Sequence, residues 1–97
     1  MKLWIKTIKG DHITNSTLYE VPGVFDAKKL LEYLTDICYS LDIPRPIVTQ
    51  KNYRDFMQFN HTVFKESDFV ESIDFDTLWV EIAISKNKKS TDFYSNL

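Results

Sequence analysis

With 97 residues, 43% of them apolar and a formal net charge of −2, the chain fits one small folded domain, not a disordered segment. That charge argues against binding by bulk electrostatics to nucleic acid or to an anionic membrane, since both need a basic footprint. The single cysteine, Cys38, excludes an internal disulfide, and a chain that buries only about 60–65% of its unfolded surface has little room for a deep enclosed site.

Leu3 to Lys9 is rich in β-forming residues and reads as a strand. Gly10-Asp11 suits a two-residue type II′ turn, so His12 to Val21 is expected to return as the second strand of a hairpin. The expected register pairs Lys9 with His12 and follows from there. Leu3 then faces Leu18 and Ile5 faces Ser16 on one side, with Ile8 facing Ile13 and Trp4 facing Thr17 on the other. Pro22-Gly23 ends the strand. Asp26 is a good helix N-cap, and Phe25 before it is placed to staple onto Leu30. From Ala27 to Leu41 the apolar residues recur at helical spacing and fill one arc centred near Leu34. Glu32, Asp36 and Tyr39 lie opposite. Pro44 and Pro46 stop this helix.

Pro46 to Thr49 is read as a short strand. Lys51 to Phe59 is a second, shorter helix, with Tyr53, Phe56, Met57 and Phe59 as its apolar face. His61 to Phe64 is an irregular or short extended piece, and Glu66 to Val70 one helical turn. Asp76 to Ile84 alternates cleanly, with Leu78, Val80, Ile82 and Ile84 on one side and Trp79 on the other. The fold class is therefore α+β: a small antiparallel or mixed sheet starting with a β-hairpin, in the order β-β-α-β-α-β, with the main helix packed on one face. Residues 1–85 form the domain, and 86–97 a polar tail expected to be mobile unless Phe93 and Tyr94 dock.

No catalytic, cofactor-binding or metal-ligating residue is assigned. Asp68, Glu71, Asp74 and Asp76 supply four carboxylates in nine positions, but they lack the glycine and spacing of a calcium loop. His12, Cys38 and His61 are scattered, without the paired spacing of a zinc site. Cys38 lies on the apolar arc and reads as a buried thiol, not a nucleophile. The only glycines, Gly10 and Gly23, are taken up by turns, which leaves none for a phosphate-cradling loop. His61 reads as a bystander in a loop. Lys2, Trp4 and Lys6 on one strand face have the local pattern of a single-strand nucleic-acid binder. The alternative is that Trp4 covers sheet while the lysine stems lie along it.

Two segments, Ile37-Cys38-Tyr39-Ser40-Leu41-Asp42-Ile43-Pro44 and Asp68-Phe69-Val70-Glu71-Ser72-Ile73-Asp74-Phe75-Asp76, resemble parts of small uncharacterised bacterial proteins. The resemblance extends over most of residues 1–84 and carries no motif, so it implies no activity, ligand or site residue.

The sequence reading is a small cytoplasmic protein-interaction domain without intrinsic catalysis, acting as a homodimer or with another protein. Trp4, Trp79 and Tyr39 are its interface residues. No cofactor, membrane association or nucleic-acid partner is expected. An enzyme subunit with a site formed between chains is the second reading, and a nucleic-acid accessory protein the third. Both faces of the sheet carry apolar side chains, so both should be covered. The main helix covers one. The second helix with the tail, or a second copy of the chain, covers the other.

Overall fold

The computed structural model describes residues 1–83. The fold is α+β, as the residue pattern implies. Strands β1 (Lys2–Lys9), β2 (His12–Glu20), β3 (His61–Lys65) and β4 (Thr77–Ala83) form one antiparallel sheet in the order β2-β1-β4-β3. Helices α1 (Leu30–Leu41) and α2 (Gln50–Phe59) lie between β2 and β3 in the chain. The expected tail over 86–97, the docking of Phe93 and Tyr94, and Ile84 of the last strand lie outside the described residues.

The hairpin turns at Gly10, which takes φ +59 while Asp11 stays out of the positive region, as a type II′ turn requires. Lys9 pairs with His12 and Ile8 with Ile13, as expected. Beyond that point the register slips by one, so that Thr7 pairs with Asn15, Ile5 with Thr17, Trp4 with Leu18 and Leu3 with Tyr19. Thr14 is the extra residue of a β-bulge. Its hydroxyl donates to the Thr7 carbonyl at 3.1 Å and lies 2.7 Å from the Thr7 hydroxyl. Thr14 has one hydroxyl proton and gives it to the carbonyl, so the buried Thr7 hydroxyl donates in return. A slip of one residue exchanges the two faces of a strand. Leu18 thereby joins the side of Trp4, and Tyr19 joins the side of Leu3.

The main helix opens with a single 3₁₀ turn at Ala27–Lys29, where the Asp26 carboxylate accepts from the Lys28 N–H at 3.0 Å. Phe25 packs against Tyr33 and Phe56, at ring-centroid distances of 5.9 and 5.6 Å. The buried face of α1 is Leu30, Tyr33, Leu34, Ile37 and Cys38. Relative to the expected arc, Tyr33 is gained and Leu31 is partly exposed. Tyrosine tolerates this flank position because its ring is apolar and its hydroxyl finds a partner, the Asp26 N–H at 3.0 Å. Asp42 closes the helix in the left-handed region at φ 57, and the Ile43 N–H returns to the Cys38 carbonyl.

The segment from Pro46 to Thr49 is not a strand, so both helices precede β3 without a strand between them. Pro44 and Pro46 have no N–H to give a ladder. Ile47 instead donates once, to the Asp68 carbonyl at 2.8 Å. Helix α2 starts at Thr49, whose N–H and hydroxyl both donate to the Asn52 side-chain oxygen. It buries a narrow strip of Asn52 and Phe56, whereas Met57 and Phe59, expected on its apolar face, are exposed.

One core holds the layers together. Leu3, Ile5, Leu78, Val80 and Phe64 point from the sheet into the buried faces of both helices. Phe69 and Phe75, in the long connection from β3 to β4, meet edge to face at 5.7 Å and join the same core. Helix α2 sits on the same side of the sheet as α1, since Asn52 donates to the buried Thr62 hydroxyl at 3.0 Å and Phe56 packs in the shared core. The expectation that α2 covers the opposite face is therefore corrected. Among the described residues that face has no covering layer.

Candidate functional site

The open face of the sheet is built by the alternate residues that do not enter the core. Pairing across the strands places them in rows. Leu18, Trp4, Glu81 and His61 form one row, and Ser16, Lys6, Trp79 and Val63 the next. Tryptophan on both central strands thus falls on the same side, one row apart, and Lys6 lies between the two rings.

The Lys6 ammonium sits 3.9 Å from the Trp4 ring centroid and 5.5 Å from that of Trp79. Both distances lie within cation–π range. The same ammonium pairs with the Glu81 carboxylate at 3.2 Å, and the Trp79 indole N–H donates to that carboxylate oxygen at 2.7 Å. The Trp4 indole N–H donates to the Ser16 hydroxyl at 2.6 Å. On the far side of Trp79 the His61 ring stacks almost parallel, with centroids 4.7 Å apart and planes 8° apart. Its Nδ1 lies 3.2 Å from the Phe59 carbonyl. A carbonyl only accepts, so Nδ1 carries the proton and donates. His61 is therefore the first residue of β3 and part of a stacked array, not a loop bystander.

This array is ordered by its own contacts. Its central charge is neutralised by Glu81, and both indole N–H groups are satisfied. What it presents outward is ring face and aliphatic carbon. Trp4 is 38% exposed, Leu18 56% and Ile13 57%, all on the side the helices leave uncovered. The arrangement suits adhesion to an apolar or aromatic surface. Its one acid–base pair, Lys6 with Glu81, is engaged in holding the two indoles, and the array contains no hydroxyl or thiol nucleophile beside a base.

Of the three interface residues read from the sequence, Trp4 and Trp79 come together here. Tyr39 does not: it stands 88% exposed on the outer surface of α1, in the other layer. His61 and Leu18 are the residues that sequence reading does not bring to this face; Lys6 it places beside Trp4, without Trp79 or Glu81. The register of β3 with β4 places His61 opposite Glu81, and which face Leu18 takes depends on the Thr14 bulge.

The remaining chemistry-bearing groups have local tasks. Asp76 accepts from the Gly10 N–H at 2.7 Å and so ties the hairpin turn to β4. Asp68 accepts from the Lys65 N–H at 2.9 Å. Among the described residues no three His, Cys, Asp or Glu side chains gather as a metal site. The Tyr19 hydroxyl donates to Asp36 at 2.9 Å and links β2 to α1. Burial, then the Asp36 carboxylate, pushes that hydroxyl up to about 12. Burial pushes the Cys38 thiol up to about 11, with Arg45 opposing the shift. Cys38 is therefore a protonated thiol at neutral pH. Native protein at pH 8 should remain unmodified by iodoacetamide, and unfolded protein should be alkylated at once. Modification of the native protein, followed by mass spectrometry, would place Cys38 in contact with solvent.

None of the described helices is long and apolar enough to cross a membrane. Comparison with protein-family models, curated proteins and solved structures finds no match in any of the three.

Proposed function

We propose that this domain is a non-catalytic, self-associating protein-interaction module, and that the open face of its sheet packs against the open face of a second copy. The observation that carries the reading is the uncovered row of Leu18, Trp4 and their neighbours on a sheet whose two helices both lie on the other side. Contiguous apolar surface of this kind, rimmed by polar residues, marks interaction sites. A second copy is the partner the face fits best. Its central cation and anion, Lys6 and Glu81, cancel each other, so two like faces meet without net repulsion at the centre. Twofold closure is also the commonest form of self-association.

Light scattering of the full chain across micromolar concentrations checks this. The wild type should have a mass of at least twice 11.5 kDa. Trp4→Glu removes the central ring and puts a carboxylate in the apolar face, and should weaken association by an order of magnitude or more. A monomeric wild type would reject self-association. A mass unchanged by Trp4→Glu, with the fold intact by circular dichroism, would move the interface off this face. Retention of a single-stranded oligonucleotide by the Trp4–Lys6 pair, abolished by salt, would favour nucleic-acid binding instead.

A further inference from the structure

We infer a second, independent self-association surface: the outer edge of β2, which pairs antiparallel with the β2 edge of another copy about a twofold axis at Leu18. The inference starts from the hydrogen bonds of β2 with β1. The Val21 N–H donates to the Met1 carbonyl at 3.0 Å. Bonded and non-bonded pairs alternate along an antiparallel ladder. From the Val21–Met1 pair, Tyr19 and Thr17 therefore turn their backbone groups towards β1. Ser16, Leu18 and Glu20 turn theirs outward. These three residues offer six backbone donors and acceptors on the edge of the sheet.

Exposed edges are normally guarded by proline, lysine, a bulge or shortness. The stretch from Asn15 to Glu20 has no proline, lysine or arginine, and its only charge is Glu20 at the end. The Thr14 bulge distorts the hairpin end and leaves this stretch regular. The opposite edge, β3, is five residues long and carries Lys65. Among the described residues, β2 is the edge left open.

The edge is complementary to itself. A twofold axis at Leu18, perpendicular to the sheet, sets Leu18 opposite the partner's Leu18 and Ser16 opposite the partner's Glu20. All three outward residues then fall in hydrogen-bonded pairs, and every outward N–H and C=O is used. Ser16 already accepts from the Trp4 indole at 2.6 Å, which leaves its hydroxyl proton for the partner's Glu20 carboxylate. The two Leu18 side chains, each 56% exposed, meet at the axis. The two Glu20 residues stand four positions apart along the strands, about 13 Å, beyond the Debye length at physiological salt. The product is an eight-stranded sheet. This axis is perpendicular to one that relates stacked faces, so the two surfaces are compatible in one tetramer of dihedral symmetry.

Cross-linking of the full chain carrying Leu18→Cys tests the register directly. Hydrogen-bonded antiparallel partners have Cα atoms about 5.5 Å apart, inside the disulfide range, whereas stacked sheets are about 10 Å apart. Cys38 is buried and does not compete. Mild oxidation should give a reducible dimer with Leu18→Cys and not with Thr17→Cys, whose side chain faces the partner's Tyr19. A companion pair isolates the backbone. Leu18→Thr keeps the outward N–H, and Leu18→Pro removes it without touching the ladder to β1. Leu18→Pro should associate at least tenfold more weakly than Leu18→Thr. No cross-link with Leu18→Cys, or equal association of the Thr and Pro variants, overturns the edge surface. If Trp4→Glu still weakens association in that case, the open-face reading stands alone. Cross-linking and proline sensitivity with no effect of Trp4→Glu would retain the edge and reject the face.

Discussion

Leu34→Ala should lower stability by about 2–5 kcal/mol, the range for truncating a fully buried leucine. Leu34 has no exposed surface and sits at the middle of the buried face of α1, between Leu30 and Cys38 one turn to either side. The loss has two parts: the transfer free energy of the removed carbons and the cavity they leave. The site is poorly placed to collapse, because the sheet beneath it is pinned by β1 and β4 at its centre and the neighbouring side chains are themselves large. For a domain of this size each kcal/mol moves the melting temperature by roughly 4–8 °C. Chemical denaturation of Leu34→Ala beside Glu32→Ala checks the helix face. Glu32 is exposed, and its truncation should stay within about ±0.5 kcal/mol. Equal losses in the two variants would mean that the helix is rotated about its axis.

Asn52→Ala should cost about 2–4 kcal/mol, more than its few heavy atoms imply, because three polar groups lose a partner at once. The Asn52 side-chain oxygen accepts from the Thr49 N–H at 2.9 Å and from the Thr49 hydroxyl at 3.0 Å, fixing the start of α2. Its amide donates to the Thr62 hydroxyl at 3.0 Å, fixing α2 to β3. Thr62 is 1% exposed and Asn52 6%, so no water readily replaces the partner of the Thr62 hydroxyl, whereas Thr49 stands at the exposed start of the helix. Denaturant unfolding of Asn52→Ala, Thr62→Val and the double variant tests the coupling. Thr62→Val removes the orphaned hydroxyl, so the double variant should lose less than the sum of the two single losses. Strict additivity would show that the bond contributes nothing.

Periodicity made α1, the hairpin and β4 legible, because each buries one face and the repeat of the apolar residues declares it. Several features escaped for physical reasons that act outside periodicity. The Thr14 bulge depends on one hydroxyl reaching the Thr7 carbonyl, and nothing in the alternation of His12 to Val21 announces it. Without the bulge, Leu18 falls on the core side and the exposed row loses one of its apolar members. Tyr33 was missed because a tyrosine on the flank of an apolar arc is buried only if its hydroxyl has a partner, and that partner is the backbone of Asp26. Pro46 to Thr49 has the composition of an extended segment, yet a single backbone bond, from Ile47 to Asp68, ties it to another part of the chain where a strand needs a ladder. In α2 the apolar pattern pointed to Met57 and Phe59, while the structure buries the polar Asn52 because it caps and bridges. The two tryptophans were placed correctly on one side of the sheet. Their coupling through Lys6 needs the register of β1 with β4, which a single sequence does not contain.

The sheet order β2-β1-β4-β3 also governs how the chain reaches this structure. The two central strands are the first and the last of the described residues, with Lys2 paired to Ala83 and Ile8 to Thr77. The innermost ladder is thus the one of greatest sequence separation, and the entropy of closing that loop falls before most of the burial that repays it. During synthesis the hairpin and α1 emerge with Leu3 and Ile5 half-covered, and β1 remains an unpaired edge until β4 arrives. At 5–20 residues per second that interval is on the order of seconds. Folding of the free chain should accordingly be slow for a domain of its size, with β4 joining late. For the whole of that time the nascent chain carries two open edges, β2 without a lysine between Asn15 and Glu20, and β1 guarded by Lys2, Lys6 and Lys9.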